Sequence, residues 1–251
     1  MRQIEIFYHL FIPSDIRASQ WAVLFDQHIK LITQSKLNNL ANFNLAITMP
    51  MHWTHMWGIP YKSNQDKNIE ITFSNKVQEY INTRYPWINI LEIRDVNEPN
   101  IYEGQTLKLL HDRCCQTDNF DVLYLHSKGM VSSSASVMVW REILDHYCIT
   151  EWANCLKKLQ NSNVVGVNDA KTRNIIMSGN FWWSKSEHIK SLPNPLQSDL
   201  YMGDQSDFYP NQPAYRYSFE RWILSNSPIV TYIIDTKTDH YDHYCFLEDL
   251  I

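Results

Sequence analysis

The chain is predicted to be an α/β protein, with a mostly parallel central sheet flanked by helices. Two patterns predict this. Short β-rich runs alternate with helix-periodic segments from one end to the other, and the runs are bounded by Pro, Gly or polar clusters. In addition, 251 residues bury a sizeable core, and neither an internal repeat nor a long linker divides the chain, so one domain over 1–251 is expected.

Residues 4–12 (IEIFYHLFI) form the first expected strand, stopped by Pro13. Trp21, Leu24, Phe25, His28, Leu31 and Ile32 recur at three and four residues, the spacing of a buried helix face, with Ser14 or Asp15 available as cap. A second strand is expected at 43–48, an irregular loop at 51–68, a strand at 69–73, a helix at 74–84 and a strand at 88–93. The run Asp95-Val-Asn-Glu-Pro-Asn reads as a loop. A helix beginning near Glu103 should turn Leu107, Leu110 and Cys114 inward. The next strand is 122–125, followed by a small polar segment at 132–136, a long helix at 137–159 and strands at 164–167 and 177–183. A helix at 215–224 and a strand at 229–234 complete the pattern.

The formal charge of −5 argues against a nucleic-acid binder that relies on a broad basic face. No segment approaches the roughly 18–20 apolar residues of a membrane span. Glu5 stands where the apolar core of a secretory signal would begin, and no such signal is expected. Five Cys at spacings unlike zinc sites or C-x-x-C pairs fit reduced thiols, and a cytoplasmic location is the expectation. Nucleotide-binding glycine loops, the G-x-S-x-G nucleophile turn and the H-E-x-x-H zinc helix are missing from the sequence.

Chemistry concentrates in a few places. The strand at 122–125 runs into His126-Ser127-Lys128-Gly129, and open α/β sheets bind ligands at the carboxyl ends of their strands. A strand–loop junction that happens to carry a charge explains this run about as well. In Ser178-Gly179-Asn180-Phe181-Trp182-Trp183, Asn180 offers both donor and acceptor, and a Trp could cover a sugar face. Consecutive strand residues face opposite ways, so only one Trp can line a given pocket, and Trp183 is read as core. Arg216 and Glu220 lie four apart on the expected helix, where a surface pair is worth about 0.2–0.5 kcal/mol; the functional alternative makes Glu220 a general base. Asp239-His240-Tyr-Asp-His243 could ligate a metal, form a solvated tail or contact phosphate from a flap.

Taken in order, Tyr102-Glu103-Gly-Gln-Thr106-Leu107, Leu123-Tyr-Leu-His126-Ser-Lys128-Gly129, Ser178-Gly-Asn180-Phe-Trp182-Trp183 and Arg216…Glu220-x-Trp222 resemble glycosyltransferases of polysaccharide biosynthesis with a GT-A-type, Rossmann-like fold. The resemblance spans most of the chain. It implies a nucleotide-binding half over about 1–130, an acceptor half over about 131–251, a nucleotide-sugar donor and a glycan acceptor. Where most such enzymes end the central strand with an Asp-x-Asp pair that holds a divalent metal, this chain reads His126-Ser127-Lys128. No metal ligand is therefore assigned, no cofactor is expected to be required, and dependence on a divalent ion such as Mn²⁺ is expected to be weak. Lys128 and His126 would instead stabilise the departing diphosphate. Glu220 falls where inverting members carry the base. His9, Thr106, Ser127, Asn180, His240 and His243 are expected around the donor, and Trp182 and Arg216 around the acceptor. A catalytically silent carbohydrate- or nucleotide-binding module and a retaining transferase remain as alternatives.

Overall fold

A computed structural model describes residues 2–12, 20–49, 55–56, 59–60, 67–95, 103–127, 134–169, 176–197 and 218–236. Seven strands join in one sheet. They are β1 (Gln3–Phe11), β2 (Ala41–Met49), β5 (Ile88–Asp95), β6 (Phe120–His126), β7 (Val164–Asp169), β8 (Trp182–Lys185) and β9 (Val230–Thr236), in the order β5-β2-β1-β6-β8-β7-β9. All neighbouring pairs are parallel except those made by β8, which runs antiparallel to both β6 and β7. Two short strands, β3 (His55–Met56) and β4 (Ile59–Pro60), pair separately as an antiparallel ribbon within the stretch expected to be irregular.

The chain lays down β1, β2 and β5 outward in one direction, then returns to place β6 on the other side of β1. The carboxyl ends of β1 and β6 therefore flank the point where the strand order reverses, the place where open α/β sheets hold ligands.

Each strand divides its residues between two faces. Ile4, Ile6, Tyr8 and Leu10 of β1, with Phe43, Leu45 and Ile47 of β2, pack into the larger core. That core is covered by α1 (Trp21–Gln34), α2 (Lys67–Arg84), α4 (Ala135–Asp145) and α5 (Trp152–Leu159). The opposite face carries Phe7, Val122, Tyr124 and Trp182 against α3 (Gly104–Gln116), α6 (Ser186–Ser191) and α7 (Ser218–Trp222). Trp182 and Trp183 thus enter different cores, as strand alternation requires.

Four expectations are corrected. Residues 69–73 are the first turns of α2, not a strand. Their alternating Ile69, Ile71 and Phe73 continues as a helical series through Val77, Tyr80 and Ile81, and the longer period prevails. The helix expected over 137–159 is two helices separated by a π-helical turn, His146–Thr150. There the Cys148 carbonyl accepts the Trp183 indole N–H at 2.9 Å, and Glu151 leaves helical geometry at φ −92°, ψ 27°. Residues 177–181 turn rather than extend, because Gly179 (φ 80°) and Asn180 (φ 51°) are both left-handed; the strand begins only at Trp182. Helix α6 was not expected at all, being one short turn and a half directly after β8. Of the helix expected at 215–224, the first three residues lie outside the described residues.

The cysteines Cys114, Cys148 and Cys155 are buried and free, and Cys115 is exposed and free. Among the described residues, no helix is long and apolar enough to cross a membrane.

Candidate functional site

His9 lies in the buried run of β1 and pairs in register with His126, the last residue of β6. Both stand on the α3 side of the sheet, at the reversal of strand order. The backbone ends are knitted together by Ser127, whose N–H donates to the His9 carbonyl at 3.0 Å. Its hydroxyl accepts the Phe11 N–H at 2.9 Å.

Helix α3 points its first turn at this junction. Thr106 hydrogen-bonds His9 Nδ1 at 2.8 Å, and the Thr48 hydroxyl lies 3.4 Å from His9 Nε2. His9 is 3% exposed, and burial, helped by the neighbouring His126, lowers its pKa to about 3. It is a neutral imidazole wedged between two hydroxyls.

Glu103, immediately before α3, is the centre of the site. Its Oε1 accepts the Asn180 amide at 2.6 Å, and its Oε2 lies 3.4 Å from His126 Nδ1. The other ring nitrogen of His126 lies 2.9 Å from the Gly179 carbonyl. A carbonyl only accepts, so Nε2 carries a proton. Both ring nitrogens therefore lie within reach of protein groups of this network. The position of His126 at the strand end is as expected, but its ring serves to hold the Gly179–Asn180 turn.

Gly179 joins the two halves of this network. Its carbonyl meets His126, and its N–H lies 3.3 Å from Glu220 Oε2. A Cβ here would come within 2.6 Å of Leu144 Cδ1 and 2.8 Å of Trp140 Nε1, so glycine is required by space as well as by φ. Glu220 is fixed a second way, because its own carbonyl accepts the Met177 N–H at 2.7 Å. Its side chain is half-buried. Helix α7 reaches this place because Gly104 lets α3 come close; a Cβ on Gly104 would meet the Phe219 ring at 2.5 Å.

Asn180 is fully buried and receives the Trp182 indole N–H on Oδ1 at 2.7 Å. Trp182 is also fully buried, stacked on Tyr124 with ring centroids 5.0 Å apart. Its ring meets no open surface, so in place of the acceptor-shaping role expected for it, Trp182 aims the Asn180 carboxamide at Glu103. The Tyr124 hydroxyl is buried and has no hydrogen-bond partner among the described residues; burial and the charge of Glu103 raise its pKa well above 10.0.

Lys128, Arg216, His240 and His243 lie outside the described residues. Among the described residues, no three His, Cys, Asp or Glu side chains gather as a metal site.

Glu103 stands in the Tyr102–Leu107 motif, but the sequence resemblance assigns it no role. A carboxylate placed just before Gly104 and a buried helix start was the available signal, but its partners lie 23 and 77 residues away along the chain, at His126 and Asn180.

Fold and site together define a seven-stranded, mostly parallel α/β protein, compatible with a Rossmann-like fold, with a polar network at its switch point. The chain belongs to the family described as Domain of unknown function (DUF8361), which it matches over residues 7–231. No curated protein matches the sequence.

Proposed function

We propose that the protein is a glycosyltransferase that moves a sugar from a nucleotide-sugar donor to a hydroxyl of a glycan acceptor, with inversion. The observation that carries this reading is the convergence of its motifs. The four segments resembling GT-A-type enzymes are linked by contacts of Glu103 with His126 and Asn180, of His126 with Gly179, and of Gly179 with Glu220.

On this reading Glu220 takes the acceptor hydroxyl proton as that oxygen bonds to the anomeric carbon, while the bond from that carbon to the diphosphate oxygen breaks. The Gly179 N–H and the α7 backbone hold the carboxylate in place. Charge on the leaving nucleoside diphosphate falls to Lys128, two residues past the end of β6 in sequence, while His126 holds the Gly179–Asn180 turn. Weak metal dependence follows.

A second reading, a catalytically silent binding module on the same fold, draws on the burial of His9, Thr106, Asn180 and Trp182. One experiment separates the two. Nucleoside diphosphates and nucleotide sugars are screened by thermal shift in EDTA and then in Mn²⁺, and donor turnover is followed for wild type and Glu220→Gln. The transferase reading expects a shift in EDTA, and a loss of roughly 10²–10⁴ in turnover for Glu220→Gln with nucleotide binding retained. A nucleotide shift without turnover, or wild-type turnover in Glu220→Gln, refutes the assigned chemistry.

A further inference from the structure

We propose that a groove of about 750 Å³, on the α3-bearing face beside α3, is a second binding site, and that its ligand is a neutral saccharide. Its volume lies within the usual range of ligand sites. The groove crosses β1, β2 and β5 near their amino ends. Glu5 and His9 share one face of β1 four residues apart, which places the groove about 13 Å from the switch-point site.

The floor is a hydrogen-bonded polar row. Arg113 Nη2 of α3 donates to Glu5 Oε1 at 2.7 Å, Asn44 Nδ2 lies 3.4 Å from Glu5 Oε2, and Asn89 Nδ2 donates to Asn44 Oδ1 at 3.1 Å. The other face of the same strands is apolar core, including Ile4, Phe43, Leu45 and Ile88. A sheet face merely open to solvent does not need a carboxylate 2% exposed beneath a guanidinium, an arrangement with a substantial desolvation cost.

The chemistry of the lining selects the ligand. Glu5 is neutralised by Arg113, and Asp112 is paired with Lys108, so the groove holds no uncommitted charge of either sign among its described residues to attract an anion. What it does present are carboxamides, with Asn42 and Asn89 exposed, and each offers a donor and an acceptor as a sugar hydroxyl does. Trp87 stands 38% exposed at the rim, held edge-on against Phe43 with centroids 5.5 Å apart, as an apolar platform for a sugar face. The core of a protein interface would be more apolar than this floor.

The proposal does not depend on the transferase reading, and its test is separate from the nucleotide screen. The full chain is probed with short linear neutral oligosaccharides and with sulfated and sialylated counterparts, and the best binder is titrated calorimetrically. Trp87→Ala and Asn89→Ala change exposed side chains, and their melting temperatures confirm folding. The expected result is binding of a neutral oligosaccharide that each variant weakens roughly tenfold or more, with any nucleotide-induced shift unchanged. The proposal is overturned if no neutral saccharide binds, if binding survives both substitutions unchanged, or if the acidic counterparts bind better.

Discussion

Replacing Gly179 by Ala tests whether the Gly179–Asn180 turn holds the site together. The residue has φ 80°, a conformation that costs an L-amino acid about 1–2 kcal/mol. The new methyl would also sit 2.6 Å from Leu144 Cδ1 and 2.8 Å from Trp140 Nε1, two groups in a packed core. Overpacking of that kind adds about 1–3 kcal/mol. The sum, about 2–5 kcal/mol, is a large part of the 5–15 kcal/mol by which domains are typically stable. Urea unfolding measures it directly. With slopes of about 1–3 kcal/mol per molar urea, the midpoint should fall by about 1 M or more at an unchanged slope. Relief of the clash by a shift of the turn would lengthen the Gly179–Glu220 and Gly179–His126 contacts, so any ligand of the switch-point site should bind more weakly too. A loss below about 0.5 kcal/mol, the scale of an ordinary surface change, would refute the claim that this glycine is required.

Other perturbations have equally definite outcomes. Because the folded protein keeps His9 neutral down to about pH 3 while the unfolded chain protonates it near 6.5, stability is unaffected above that pH. It then falls as the pH drops through the interval, by about 1.4 kcal/mol per unit at most from this group. Urea titrations at pH 7, 6 and 5 should show a shallower decline in His9→Gln than in wild type; equal declines would remove His9 as the cause. His188, whose pKa burial also lowers, adds to the decline in both proteins. Arg113→Met leaves the Glu5 carboxylate with only Asn44 and should cost roughly 3 kcal/mol, measured by the same unfolding assay. Trp182→Phe removes the donor to Asn180 Oδ1 deep in the core and should cost about 1–3 kcal/mol, with a matching loss of any nucleotide-induced thermal shift.

The parallel core of the fold was legible because its strands are apolar runs with clear boundaries. Residues 4–12, 43–48, 88–93, 122–125 and 164–167 all lie in or across the observed β1, β2, β5, β6 and β7. Helix α3 and its inward Leu107, Leu110 and Cys114 followed from spacing alone, and all three are fully buried. What was not legible depended on local geometry or distant contacts. Two successive left-handed residues shortened β8, and a carbonyl given to Trp183 accompanies the break between α4 and α5. The placement of His126 at a strand end could be read from its neighbours. The direction of its two nitrogens could not, because Glu103 and Gly179 are brought to it only by the tertiary fold. Burial likewise separates Trp182 from an exposed aromatic platform, although the residue type suits both roles.

Helix α3 is tied to β1 at both of its ends, by Thr106 to His9 at one and by Arg113 to Glu5 at the other. It can neither roll nor slide along the strand without breaking one of these ties. Strand β1 is itself hydrogen-bonded on both edges, to β2 and to β6. Helix and strand therefore form one cooperative unit at the middle of the sheet, which opens only with the fold as a whole. The switch-point network and the polar groove sit at opposite ends of that unit. Each is built on this doubly tied pair of elements, so adjustment to a ligand is expected from the side chains and turns around it.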